Sequence, residues 1–187
     1  MDEAEIIKGC LKNDRLSQKA LYDRFYGRMM AVCMRYARDR AEAEDMLHEG
    51  FMKVFTGMKG FGHKGSFEGW IRRIMVNCCI DHLRKKKQEY LIVDTVIASR
   101  ASVSAEDEVS EDELADLISK EDILAAVQQL SPAYRTIFNL YVLEEHTHKD
   151  IADKLDISEG TSKSNLAKAK FNLKKNLLNL LKIKNDK

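Results

Sequence analysis

The sequence predicts an all-α protein: two small helical domains joined by an acidic flexible linker, the second built on a helix-turn-helix. Three observations carry this reading. One proline and nine glycines in 187 residues leave few helix breakers. Apolar residues return at three- and four-residue intervals along nearly the whole chain, the period of amphipathic helices. The third observation is a division of charge. Residues 1–87 carry 18 Lys+Arg against 12 Asp+Glu, residues 88–131 carry 2 against 11, and residues 132–187 carry 11 against 7. The net charge of +1 therefore conceals basic ends and an acidic middle. Basic ends suit a polyanion, while the middle is repelled by it or lies in a basic channel elsewhere. The middle, "VIASRASVSAEDEVSEDELADLI", lacks periodicity until Leu114, so the expected boundaries are 1–87, 88–112 for the linker, and 113–187.

Composition also excludes. No apolar run approaches the roughly 18 residues that a membrane span requires, and the acidic start "MDEAEIIKGCLKNDR" is unlike a signal peptide, so a cytoplasmic protein is expected. Cys10, Cys33, Cys78 and Cys79 form neither CxxC nor a metal-ligand pattern and are expected as reduced, mostly buried thiols. His146 and His148 have no third ligand nearby, Asp81 and His82 have no nucleophile, and no strand precedes the glycines at 57, 60, 62 and 65. No metal, no cofactor, no small-molecule substrate and no enzymatic activity are expected.

In the first domain, Leu21 to Phe55 reads as two helices. The second turns Ala43, Leu47, Phe51, Val54 and Phe55 inward and Glu44, Asp45, His48 and Glu49 outward. A glycine-rich loop, "TGMKGFGHKGSF", follows. The next helix, "FEGWIRRIMVNCCIDHLRKKK", buries Ile71, Ile74, Met75 and Cys78 and sends Arg73, Asn77, Arg84 and Lys85 to Lys87 elsewhere. Aromatics and glycines leading into a basic helix are what an unpaired strand needs, namely pockets for unstacked bases beside a cationic track. Trp70 reads as core.

In the second domain, Ser131 is an N-cap before Pro132, with Ile137, Leu140 and Tyr141 as a buried stripe. Thr147 caps the next helix with Asp150 as its capping-box partner and Ile151, Ala152 and Leu155 inward. Ser158 caps a third helix with Leu166, Ala169, Leu173, Leu177 and Leu180 on one side and Lys163, Ser164, Ala167, Lys168 and Lys170 on the other. A short helix, a tight turn and a basic-faced helix meet the demands of major-groove reading. On periodicity alone, an ordinary helical hairpin with a lysine-rich solvent face remains the alternative.

Three blocks in this order, "EAEDMLHEGFMKVF", "SFEGWIRRIMVNCCIDHLRKKK" and "LSPAYRTIFNLYVLEEHTHKDIADKLDISEGTSKSNLAKAK", resemble the extracytoplasmic-function (ECF) sigma factors, two-domain bacterial transcription initiation factors. The resemblance implies that Asp45, His48 and Glu49 dock on the clamp coiled coil of the large subunit of core RNA polymerase. It implies that His63, Lys64, Ser66, Phe67 and Asn77 melt the minus-ten promoter element and hold a flipped base, with Arg73 and Arg84 on phosphates. The helix-turn-helix would read the minus-thirty-five element, Lys163, Ser164, Ala167 and Lys168 facing bases and Thr161, Asn165 and Lys170 nearer phosphates. The linker would thread the polymerase toward its RNA exit channel. An anti-sigma factor is the further partner that the family implies.

The sequence departs from the family pattern in places. His48 stands where glutamine is usual, Ser162 where a buried valine is usual, and Asn165 where arginine is common. The expectations are altered hydrogen bonding at the docking face, a loosened helix and a weaker phosphate grip. Lysine in place of arginine also removes the bidentate fork that discriminates guanine, so tolerant base reading is expected. The main rival is a helix-turn-helix transcription regulator that is not a polymerase subunit. It would require a sensor or receiver domain ahead of the motif, and the helical first half supplies none.

Overall fold

The computed structural model describes residues 1–62, 64–85 and 118–185. The expected linker, the expected start of the second domain at Glu113, and His63 lie outside the described residues. Among the described residues every regular element is helical. The chain divides into two compact units, Met1–His82 and Leu83–Lys187.

The first unit opens with α1 (Glu3–Leu11), a helix the periodicity did not separate from the acidic start. Asp2 and Glu5 close a reciprocal capping box, and Ile6, Ile7 and Cys10 form the buried stripe. Asn13 takes a left-handed turn (φ 58°), and Asp14 then caps α2 (Arg15–Tyr36) by accepting from the Ser17 amide at 2.8 Å. The helix expected from Leu21 thus begins six residues earlier, because the cap lies at Asp14. Gly9 is required here: a Cβ on it would lie 1.9 Å from Ser17 Oγ, so α1 and α2 could not cross as they do.

Helix α3 (Arg40–Gly57) starts at the Asp39 cap and buries Ala43, Met46, Leu47, Gly50, Phe51 and Val54. A 3-10 turn, Met58–Gly60, leads into the loop, and α4 runs from Phe67 to Lys85. Ile71, Met75, Cys78 and Cys79 of α4 are fully buried. All four cysteines are free and buried, with Cys33 and Cys79 Sγ 4.0 Å apart. Burial pushes the Cys78 thiol up to about 11.

The second unit holds α5 (Lys120–Gln128), α6 (Pro132–Phe138), α7 (His148–Leu155) and α8 (Glu159–Asn185). Ser131 caps α6 with proline at the first position, and Thr147 and Asp150 form the capping box of α7, as the residue types dictate. After Phe138 the helix widens into a π turn, Asn139–Leu143, closed by the Glu144 amide donating to the Asn139 carbonyl at 3.0 Å. That wider turn corrects one expectation. Ile137 and Leu140 are buried, but the phase shift swings Tyr141 outward, to 38% exposure. Asp156, in the left-handed conformation at φ 55°, ends α7 and makes the tight turn into α8.

Candidate functional site

The first surface is the outer edge of α3. With Ala43, Leu47, Phe51 and Val54 anchored in the core, the helical period leaves Asp45 and His48 exposed and Glu49 half-buried. Asp45 and His48 make no hydrogen bond or ion pair among the described residues. Glu49 is 3.4 Å from Lys53 Nζ, which also donates to Asp81 of α4 at 3.1 Å. Burial opposes the charge on Lys53, but the hydrogen bond to Asp81 and the nearby negative groups outweigh it and hold the ammonium above its ordinary pKa. Sequence reasoning missed Met52, which is 52% exposed one turn beyond His48 on the same face. Its signal was the spacing, seven residues from Asp45 and four from His48.

The second surface is the loop and the outer face of α4. Gly65 adopts φ 93°, a backbone that only glycine takes without strain, and Ser66 then accepts from the Gly69 amide at 3.1 Å to start the helix. Lys64, Ser66, Arg73, Asn77 and Arg84 are exposed. Phe67 is not. At 2% exposure it packs against Phe25 (5.8 Å), Phe61 (5.0 Å) and Trp70 (5.8 Å), so here it belongs to the core and presents no face to a base. Phe25 of α2, with Phe61 and Trp70, forms the apolar cluster that its ring fills. Trp70 and Phe61 instead lie half-buried at the rim of that cluster, 5.5 Å apart. Trp70, Asn77 and Arg84 are seven residues apart, an interval that returns to within ~20° on a helix, so the indole heads the same stripe as the polar side chains. That interval was the signal for Trp70.

The third surface is α8. Ser158 accepts from the Thr161 amide at 3.0 Å, and Thr161, Lys163, Ser164, Ala167, Lys168 and Lys170 are exposed while Asn165 is half-buried. Leu166 and Ala169 are buried on the other side. Lys163 lies 3.9 Å from Glu159, an exposed i,i+4 pair of little energetic weight. Ser162 is fully buried, and its Oγ is 2.9 Å from His148 Nδ1 on α7. The expectation that serine would loosen this helix is therefore corrected: its hydroxyl is satisfied by a bond to the neighbouring helix. Among the described residues, no group of three or more His, Cys, Asp or Glu is placed to hold a metal ion.

An acidic helix edge and an aromatic-and-basic helix on one unit, with a helix-turn-helix on the other, are the parts of a two-domain transcription initiation factor of the sigma-70 class. Residues 21–89 match Sigma-70 region 2, and residues 120–172 match Sigma-70 region 4. The chain is 27% identical over 179 residues to the ECF RNA polymerase sigma factor SigW of Bacillus subtilis (strain 168), covering 93% of this chain and 96% of that one. It is 27% identical over 154 residues to the ECF RNA polymerase sigma factor SigM of the same organism, covering 82% and 91%. A solved structure, the sigma factor RpoE in complex with the anti-sigma factor NepR from Bartonella quintana, is similar with a TM-score of 0.49 and 20% identity over 85% of this chain and 95% of that one. The chain belongs to the ECF sigma factor family.

Proposed function

We propose that this sigma factor performs its work through the three surfaces above. The acidic edge of α3 docks on core RNA polymerase, the α4 face opens the minus-ten element, and the N-terminal half of α8 reads the minus-thirty-five element. The observation that supports this best is the exposed Asp45 and His48 on a helix whose opposite face is wholly buried. Neither residue has packing to contribute to its own fold, so the edge is available to a partner. Reversing charge with Asp45→Arg and Glu49→Arg should abolish holoenzyme formation in gel filtration while circular dichroism stays unchanged. Intact holoenzyme would overturn the docking assignment.

For melting, Arg73 and Arg84 supply the cationic track, Lys64, Ser66 and Asn77 the polar contacts, and Trp70 with Phe61 the stacking surface for an unpaired base. His63 belongs to the same loop. In α8, Lys163 lies nearest the entering end and reads a base, as do Ser164, Ala167 and Lys168. Thr161, Asn165 and Lys170 contact the phosphates. A regulator outside the polymerase would bind the upstream element without core enzyme, and the charge-reversal variant separates the two readings. The role is one of binding rather than catalysis and is exercised in the cytoplasm with the polymerase. The anti-sigma partner is proposed from family membership alone, and a pull-down of the tagged chain tests it.

A further inference from the structure

Ser162 is fully buried one residue from Lys163 and two from Ser164, in the helix that presents both to solvent. A helical serine ordinarily satisfies its hydroxyl on its own helix, bonding a carbonyl three or four residues back. Ser164 does so, donating to the Thr161 carbonyl at 3.1 Å. Ser162 does not. Its Oγ crosses to α7 and meets His148 Nδ1 at 2.9 Å. The imidazole is held in turn by Tyr141 of the π turn, whose ring stacks on it with centroids 4.6 Å apart and planes 25° from parallel. The π turn is also what brings Tyr141 there, since a continuous α-helix would carry that side chain inward.

A single chain of contacts therefore links three elements: Tyr141 from the π turn, His148 at the first position of α7, and Ser162 in the first turn of α8. Apolar packing between helices tolerates rolling and sliding, because dispersion contacts are numerous and nondirectional. A hydrogen bond to a ring nitrogen held by stacking is directional in distance and angle. Its loss would also strand a hydroxyl that no water reaches. The bond thus sets the roll of the first turns of α8 about their own axis.

We propose that His148 and Ser162 are positioning residues for sequence reading. Through Tyr141 they lock the roll of α8 so that Lys163, Ser164, Ala167 and Lys168 meet base edges in one register. This rests on the proposed reading of the minus-thirty-five element by α8 and deepens it, since Ser162 is buried and acts only through its bond to His148.

The test uses holoenzyme and a promoter duplex selected by that holoenzyme from a random pool, against the same duplex with its upstream element scrambled. The readout is the ratio of the two affinities. Ser162→Ala and His148→Gln should each lower that ratio about 3- to 10-fold, the scale of one hydrogen bond. The slope of affinity against salt should not change, because no phosphate contact is lost. His148→Asn, whose amide group falls near the Nδ1 position but offers no ring to Tyr141, should lose less of the ratio than His148→Gln, whose amide projects beyond that position. The double variant Ser162→Ala/His148→Gln should be no worse than either single change, as one shared bond requires.

Lys163→Ala is measured beside them. If it lowers the ratio and the lock variants do not, the lock is wrong. If all of them leave the ratio unchanged, the lock falls together with the sequence-reading assignment of α8. Equal loss on cognate and scrambled duplexes, additive losses in the double variant, or asparagine no better than glutamine would each overturn the proposal as well.

Discussion

Among the described residues both units are helical, yet their interiors are made differently. The first is held by large apolar and sulfur-bearing side chains: Phe25, Met29, Met46, Phe51, Ile71 and Met75 are all nearly fully buried. Its principal buried charge, Glu42, is satisfied locally by the Arg38 amide at 2.7 Å and by Arg38 Nε at 3.3 Å, with His82 Nε2 3.4 Å away. The second unit buries Leu140, Ile151 and Ala169, but also Asp122, Arg135, Thr136, Asn139 and Ser162. Arg135 donates to the Gln128 carbonyl at 3.2 Å, and Thr136 to the Pro132 carbonyl at 2.7 Å. The first unit is thus specified mainly by shape and the second to a larger degree by direction. The contrast fits the proposed tasks: an opened strand would be gripped on an aromatic platform, whereas base edges would be read only if a helix keeps its register.

That contrast can be broken most directly by truncating the first unit's core. Phe25→Ala should cost about 3–5 kcal/mol, seen as a shift of the urea midpoint followed by Trp70 fluorescence, because it opens a cavity beside Phe67. A cost under about 1 kcal/mol would mean this core is as forgiving as a surface.

Alkaline pH should separate the units next. The Cys78 thiol is raised by burial from 9.0 to about 11, so the folded state resists its ionisation. Stability from this group is fully present below pH ~9 and is lost as pH rises through about 11, on the order of 2–3 kcal/mol. Between pH 8 and pH 10.5, urea midpoints should fall less in Cys78→Ala than in the parent, the remaining loss coming from Cys79 and Cys10, whose thiols are raised as well.

A polar deletion should show the opposite asymmetry. Arg135→Met fills a similar volume but removes the hydrogen bond to the Gln128 carbonyl, with an expected cost of about 1–3 kcal/mol in the second unit. A neutral or stabilising outcome would show that direction there contributes little beyond packing.

The smallest effects should be shared. Thr147→Ala removes the cap of α7 at a cost of about 1 kcal/mol. Hydrogen bonds from Ser17 lower the Asp14 carboxyl pKa, and those from Thr147 lower that of Asp150. Depressed carboxyls contribute stability above their unfolded value of 3.8, and it is lost as pH falls through the folded value. Both units should therefore weaken together below pH ~4, and an acid transition confined to one unit would contradict equal capping.

Much of this was legible in the chain itself. The caps at Ser131, Thr147 and Ser158, the inward stripe of α3, its acidic edge and the basic face of α8 follow from residue type and helical period. Such features are local: a cap or an amphipathic face involves residues within a turn or two of one another, so sequence order is enough to state them. Helix α1 and the true start of α2 were hidden because a left-handed Asn13 between two caps looks like polar coil.

What only the tertiary structure decided concerns residues at the margin of two elements. Phe67 and Trp70 are both aromatic and three residues apart, and only the position of Phe25 on α2 assigns one to the interior and the other to the rim. Tyr141 has the spacing of a core residue, but a π turn, invisible in composition, shifts its phase. Ser162 reads as a defect in an apolar stripe until His148, fourteen residues away, is found at 2.9 Å. Periodicity predicts which way a side chain leaves its own helix, and only packing decides what it meets there.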